Sequence, residues 1–291
     1  MPVLERVCEQ CENSIERGYR QCIVCNSGSC CSEFENDSYC STCYMEREDR
    51  SLIQSCSSRR YPVRRCAPHE LAMGVEIEVE CDNGNQEEVA GLILRSFKDY
   101  LLLKQDGSLR CGIELVTGQL SLLEHQKLWP RVFSLLRTMR GVSSWRSGRC
   151  GQHVHLSRNH FSELQIAKYS FFLNHRNTRY FIDEIAGRKR SEYARYNPKT
   201  AMKKCQFNES RYAALNTSNT ATIEVRIFRG TLSPHAVANI EFCHSLATWI
   251  TETMPSISHC ASPEIFLQWA KSAPQNVQYK HFLTYLKRRG I

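Results

Sequence analysis

The sequence predicts an α+β chain in which a mainly antiparallel sheet is backed by helices on one face and preceded by a small cysteine-rich module. Three observations carry this expectation. Several stretches alternate apolar and polar residues with period two, the spacing of strands with one buried face. Longer stretches repeat apolar residues every three or four positions, as helices do. Half of the 16 cysteines fall within the first 43 residues.

At 291 residues, the chain has room for one large domain and one small one. An apolar fraction of 42% with 23% charged residues is ordinary for a globular protein, so a substantial core is expected. No apolar run reaches the roughly 18 residues a membrane helix needs, and no apolar segment follows the basic residues near the start. Neither a membrane span nor a secretory signal is expected. Sixteen cysteines in such a chain read as thiols and metal ligands in a reducing, cytoplasmic setting. The net charge of +8 suits anionic partners, nucleotides and nucleic acids included, but equally keeps a protein soluble.

Residues 1–45 hold Cys8-x2-Cys11, Cys22-x2-Cys25, the adjacent Cys30 and Cys31, and Cys40-x2-Cys43. Two thiolates two residues apart can grip one tetrahedral zinc, and eight ligands suffice for two ions. With few large apolar residues between the pairs, metal binding and folding should be coupled. An alternating, cross-braced arrangement with two structural zincs is expected. The alternative is a single zinc on Cys8, Cys11 and a later pair, and Cys66-x2-His69 can substitute for a weak ligand. Few aromatics and mixed charge give no sign of base readout, so nucleic-acid binding is neither supported nor excluded, and protein docking is the favoured role. Residues 46–70, polar and arginine-rich with Pro62 and Pro68, read as a basic linker to a second domain over 71–291.

That domain opens with Gly74-Val-Glu-Ile-Glu-Val-Glu80, where Glu76, Glu78 and Glu80 share one strand face and Val75, Ile77 and Val79 the other. A helix is predicted over 87–97, with acidic residues in its first turn, and a short strand over 100–104. Asp106-Gly107 suggests a tight turn into the strand from Cys111 to Thr117, which carries Glu114 opposite in face to Ile113 and Leu115. Residues 120–140 read as a packing helix started or interrupted at Pro130. The next strand, Gly151 to Ser157, presents His153, His155 and Ser157 on one face and Val154 and Leu156 on the other. One helix is predicted from Ser162 to about Glu184. Residues 186–204 form a basic, aromatic-punctuated stretch without periodicity, either a lid or a solvated loop. Arg211 to Asn216 leads into Thr222 to Phe228, where Glu224 and Arg226 oppose Ile223, Val225 and Ile227 before Arg229-Gly-Thr231. Helices are predicted over 234–254, 263–271 and 277–289.

Four strands with buried apolar faces would pool their polar faces on one surface. Hard divalent cations such as magnesium or manganese take carboxylate oxygens and tolerate an imidazole, and they bridge phosphate oxygens. Glu76, Glu78, Glu114, His153 and Glu224 are the candidate ligands. Glu76, Glu78, Asp106, Glu114, His153 and Arg226 are the candidate catalytic groups, while His155, Ser157, Arg211, Arg226 and Arg229 are candidates for nucleotide contacts. Neither a P-loop nor a Rossmann fingerprint is present, so nucleotide binding would be led by the metal.

The ordered set, namely Glu76-x-Glu78, Asp106-Gly-Ser108 with Gly112-x-Glu114, Gly151-x-His-x-His-x-Ser157 and Glu224-x-Arg226 closing in Arg229-Gly-Thr231, resembles the glutamine synthetase-like carboxylate–amine ligases, particularly the phage and bacterial amidoligases. It covers roughly residues 72–250. The resemblance implies a curved antiparallel sheet, a half-barrel with helices outside and the active site on its concave face. It also implies ATP with Mg2+ or Mn2+ as cofactors, and phosphorylation of a substrate carboxylate followed by amine attack. Glutamine synthetase itself matches poorly, since its ammonia-site segments are not recognisable. An amino acid, peptide or protein amine is therefore expected. The same residues leave two alternatives, a kinase or other phosphotransferase using the metal face, and an inactive zinc-dependent interaction module.

Overall fold

A computed structural model describes residues 20–21, 28–29, 51–56, 61–62, 66–82, 84–146, 148–189, 194 and 212–291. The eight cysteines assigned to zinc, Arg211 and most of the 186–204 stretch lie outside the described residues. The chain divides into two compact units, Met1–Gln54 and Ser55–Ile291, a division that falls within the stretch read as linker. In the first unit, β1 (Arg20–Gln21) pairs antiparallel with β2 (Gly28–Ser29).

The second unit is α+β with a mainly antiparallel open sheet. Its strands are β3 (Met73–Cys81), β4 (Leu101–Lys104), β5 (Gly112–Thr117), β6 (Val142–Ser143), β7 (Gly151–Ser157), β8 (Leu215–Asn216) and β9 (Thr222–Arg229). They run in the order β4-β5-β3-β7-β9-β8, with β6 pairing the end of β3. The period-two pattern is realised directly: Val75, Ile77, Val79, Ile113, Leu115, Val154, Leu156, Ile223 and Val225 are each 0% exposed. Each such side chain removed from water stabilises by roughly 1.5–3 kcal/mol, and a slip of one residue would turn the whole set to the polar face.

Helices cover the apolar side. They are α1 (Gln86–Phe97), α2 (Leu122–Thr138), α3 (Glu163–Asn174), α4 (Arg179–Ala186), α5 (Pro234–Thr253), α6 (Pro263–Ala270), the single turn α7 (Gln275–Gln278) and α8 (Lys280–Arg289). The almost wholly buried α5 packs against α2, α3, α6 and α8 and touches β7. Phe172, Phe181, Phe242, Trp249 and Phe266 join these helices through edge-to-face and tilted ring contacts with centroids 5.3–6.3 Å apart. None of the described helices is long and apolar enough to cross a membrane.

Three helix expectations change. The stretch 277–289 is divided at Tyr279 between α7 and α8. A single helix runs through Pro130, because the proline sits on the exposed face while Leu128, Trp129, Val132 and Phe133 are buried around it. The helix expected from Ser162 to Glu184 is two helices. Ser162 caps the first with a capping box, and the chain then breaks at His175–Thr178, where Thr178 Oγ1 donates to the Phe172 and His175 carbonyls. Within β9 the alternation also shifts. A β-bulge opposite Gln152–Val154 inserts one residue into β9, so Phe228 faces α5 with Gln152 instead of facing the polar side.

One buried histidine couples this packing to pH. His125 Nε2 lies 3.2 Å from the Met73 carbonyl, and its Nδ1 accepts from Trp129 Nε1 at 3.1 Å, so the neutral tautomer satisfies both nitrogens. Burial pushes its pKa down to about 4. The unfolded chain, with a histidine near 6.5, binds the extra proton first, so stability is present above that value and falls as pH drops toward 4. We expect His125 to cost about 2 kcal/mol between pH 7 and pH 5. Urea midpoints at the two pH values should fall together less steeply in His125→Gln, and an unchanged slope would remove this assignment.

Candidate metal and phosphoryl site

The register of the ladder assembles the polar face. Glu78 on β3 lies directly opposite Glu114 on β5, Glu76 opposite His153 on β7, and His155 opposite Glu224 on β9, which in turn faces Asn216 on β8. Cys81 N–H donates to the Cys111 carbonyl at 2.7 Å. By alternation along the ladder, Glu78 and Glu114 form a non-hydrogen-bonded pair, the closer kind, with Cα atoms about 4.5 Å apart. Gly112 allows this approach, since a Cβ there would come within 2.8 Å of the Val79 carbonyl oxygen.

His153 stands between two groups of carboxylates. Its Nδ1 is 3.1 Å from Glu76 Oε2 and 3.6 Å from Glu224 Oε1, while Nε2 is 3.9 Å from Glu78 Oε1. Glu76, His153 and Glu224 each offer a ligand atom within 4.8 Å of the others, and so do Glu78, Glu114 and His153. Around them, Gly151 N–H donates to Glu78 Oε2 at 2.6 Å and Asn216 Nδ2 to Glu224 Oε2 at 2.8 Å. Arg226 Nη1 donates to Glu224 Oε1. His155 Nε2 is 3.1 Å from Glu76 Oε1, an ion-pair distance without well-directed hydrogen-bond geometry.

This crowd of buried charge distorts ionisation in opposite directions. Burial opposes the charge on Glu76, yet the His155 and His153 imidazoles outweigh it and hold the carboxyl well below the usual range. Burial, reinforced by Glu76 and Glu78, pushes Glu114 up to about 10, and Glu78 is raised chiefly by burial as well. For His155 the charges of Glu76 and Glu224 overcome burial and lift it to about 9. Carboxylates this close cannot all ionise without added positive charge. An oxygen-rich set with one imidazole and no sulfur fits a hard divalent cation.

Other expected residues fall at the margin or elsewhere. Asp106 starts the turn before β5, accepting Ser108 N–H at 2.7 Å, and its charge is felt by both Glu78 and Glu114. Glu80, at the end of β3, is partly exposed. Ser157 ends β7 opposite Thr222, two residues past the His155–Glu224 pair. Arg229 lies against Gly187, where an added Cβ would come within 2.9 Å of its Nε.

Sequence reasoning missed the most informative cation. Arg188 follows Gly187, whose left-handed conformation (φ 67°) ends α4 and turns the chain back toward β9. Its Nε donates to the Ile227 carbonyl at 3.0 Å and its Nη2 to the Arg226 carbonyl at 2.8 Å. Both acceptors belong to the bulged stretch of β9. The guanidinium also lies 5.8 Å from the Trp145 ring centroid, and Trp145 itself holds a positive φ of 68°. Burial pushes Arg188 down to about 10, with Glu78 opposing and Arg226 adding to the shift. Two guanidiniums thus adjoin the carboxylates, and the Nε of Arg226 is buried without a hydrogen-bond partner. Only the Arg-Lys-Arg charge cluster at 188–190 hinted at this; nothing in it specified the bulge that catches Arg188.

Lys104, opposite Glu114 in register, turns its ammonium to Tyr61, donating to the hydroxyl at 3.1 Å beneath a ring centroid 4.7 Å away. A separate cavity of about 740 Å³, lined by His69, Gln126, His160, His244 and Glu252 among others, shares no residue with the cluster. No protein-family model matches the chain, and no curated protein matches it.

Proposed function

We propose that the chain is an ATP-dependent carboxylate–amine ligase that forms an amide or peptide bond through an acyl phosphate. The observation that carries this reading is the pair of ligand groups sharing His153, with the guanidiniums of Arg188 and Arg226 beside them. The ordered motifs that resemble glutamine synthetase-like ligases agree with it, and so does an antiparallel sheet whose polar faces converge. On this reading, the sheet is the half-barrel of that family.

Glu76, Glu78, Glu114, His153 and Glu224 would hold Mg2+ or Mn2+, which when bound would draw the phosphates in and offset their charge. A carboxylate oxygen of the acid attacks the γ-phosphorus of ATP and ADP leaves; the amine nitrogen then attacks the acyl carbon and inorganic phosphate leaves. Activation in this way avoids expelling hydroxide from a carboxylate. Arg188 and Arg226 donate to the phosphoryl oxygens as charge moves onto them, and His155 faces the nucleotide. The N-terminal thiols would bind two structural zincs in a module that docks a protein or peptide substrate, within the reducing cytoplasm.

Metal loading gives an early check. Glu114 holds its proton at neutral pH, so a cation bound there must displace about one proton. Mn2+ titration calorimetry in two buffers of different protonation enthalpy should give unequal heats, with apparent affinity rising with pH. Equal heats would take Glu114 out of the ligand set.

The activity itself is tested by incubating the full-length protein with ATP, Mg2+ and the small-molecule and peptide fraction of a cell extract. Substrate-dependent ADP should accompany a product one water lighter than acid plus amine, and 18O from labelled carboxylate should appear in the phosphate. A stable phosphorylated product would replace the ligase by a phosphotransferase. Absence of any ADP from zinc-replete, folded protein would leave only the interaction module.

A further inference from the structure

Cys81 and Cys111 lie outside the chemistry assigned above, and the ladder sets them face to face. The β3–β5 register runs from Glu76 opposite Val116 to Glu80 opposite Gly112. It continues one step further, since Cys81 N–H donates to the Cys111 carbonyl at 2.7 Å. Residues opposed in an antiparallel ladder project to the same side. Cys81 continues the buried face of Val75, Ile77 and Val79, and the register puts Cys111 on the same side. In a hydrogen-bonded pair the Cα atoms are about 5.5 Å apart, inside the range of about 4.4–6.8 Å that a disulfide spans. Both are free thiols, Cys81 buried and Cys111 half-buried at the strand entrance. Burial pushes the Cys81 thiol up to about 11, and the neighbouring Cys111 adds to that shift.

We propose that Cys81 and Cys111 form a reversible oxidation site, a dithiol that a hydroperoxide converts to a cross-strand disulfide. The half-exposed Cys111 reacts first. Its sulfur attacks a peroxide oxygen, the S–O bond forms as the O–O bond breaks, and water leaves a sulfenic acid behind. Cys81 Sγ then attacks that sulfur; the S–S bond forms, the S–O bond breaks, and the departing hydroxide takes the Cys81 proton as a second water. Two thiols have then lost two electrons and two protons to one hydrogen peroxide, which becomes two waters. A bridge between hydrogen-bonded strand partners must pull the strands slightly from their preferred spacing, and strained bridges are the readily reduced ones. It would clasp β3 to β5 three residues from the Glu78–Glu114 pair, whatever reaction that pair serves.

The test uses the native full-length protein treated with a small excess of hydrogen peroxide, blocked with N-ethylmaleimide and digested with trypsin and a Glu-specific protease. Cleavage after Glu80 separates Cys81 from Cys66, and cleavage after Arg110 frees Cys111. We expect a Cys81–Cys111 linked peptide two hydrogens lighter than its parts. It should disappear on treatment with dithiothreitol, and the oxidised protein should melt several degrees higher than the reduced form. In Cys111→Ser, a half-buried position that tolerates the change, Cys81 should stay unlinked and the shift in melting should vanish. Recovery of both cysteines as separate maleimide adducts overturns the proposal. So does Cys111 linked to another thiol, or Cys111 found only as sulfinic or sulfonic acid in the unmutated protein.

Discussion

Replacing His153 by alanine should lower metal-dependent ADP formation by roughly 10²–10³-fold or more, the scale of losing a group that organises charge at a reacting phosphate. The imidazole is the one member common to both ligand groups, its two nitrogens facing Glu76 and Glu224 on one side and Glu78 on the other. Its removal also takes a partner from Glu76, Glu78 and Glu224. The variant should therefore melt lower than the parent in the absence of metal, by an amount equivalent to about 1–3 kcal/mol. The diagnostic readout is the response to Mn2+. The parent should gain thermal stability on titration with Mn2+, as any protein does when an ion binds only its folded state, while His153→Ala should gain little. A variant that keeps both the Mn2+ response and full turnover would remove His153 from the ligand set and from the reaction.

Replacing Arg188 by glutamine should spare the metal response and still cost about 10²–10³-fold in kcat/KM for ATP. The side chain touches none of the ligand carboxylates within ion-pair range; it hangs from the Arg226 and Ile227 carbonyls over Trp145. Its remaining N–H groups point to a role in binding an anion beside the metal. Lysine should rescue only partly, because an ammonium cannot hold two carbonyls in a fork and stack on an indole at once. Fluorescence of Trp145 offers an activity-independent readout, since nucleotide binding should change it in the parent and not in Arg188→Gln. Equal nucleotide affinity and turnover in parent and variant would return Arg188 to a purely structural tie between α4 and β9.

Much of the fold was legible because strand burial is written in period two. Val75, Ile77 and Val79 against Glu76, Glu78 and Glu80 could be assigned to faces from spacing alone, and the structure buries the first set fully. Helix existence was legible for the same reason, while helix boundaries were not. The break at His175–Thr178 depends on which carbonyls the Thr178 hydroxyl reaches, and the continuation through Pro130 depends on which face of α2 meets solvent. Two-residue strands such as β6 and β8 are too short to have a period at all.

The sequence by itself determined which residue types would share the polar face, because alternation is a local property of each strand. It could not say which of those residues would meet, because pairing between strands is a property of register and of order in the sheet. Only the tertiary structure decided that Glu78 would face Glu114, that His153 would fall between two carboxylate groups, and that a one-residue bulge in β9 would turn Phe228 inward and offer its carbonyls to Arg188. The physical reason is that side-chain alternation is set within a few bonds, whereas a charge-bearing cavity is set by contacts between segments as much as 148 positions apart, from Glu76 to Glu224.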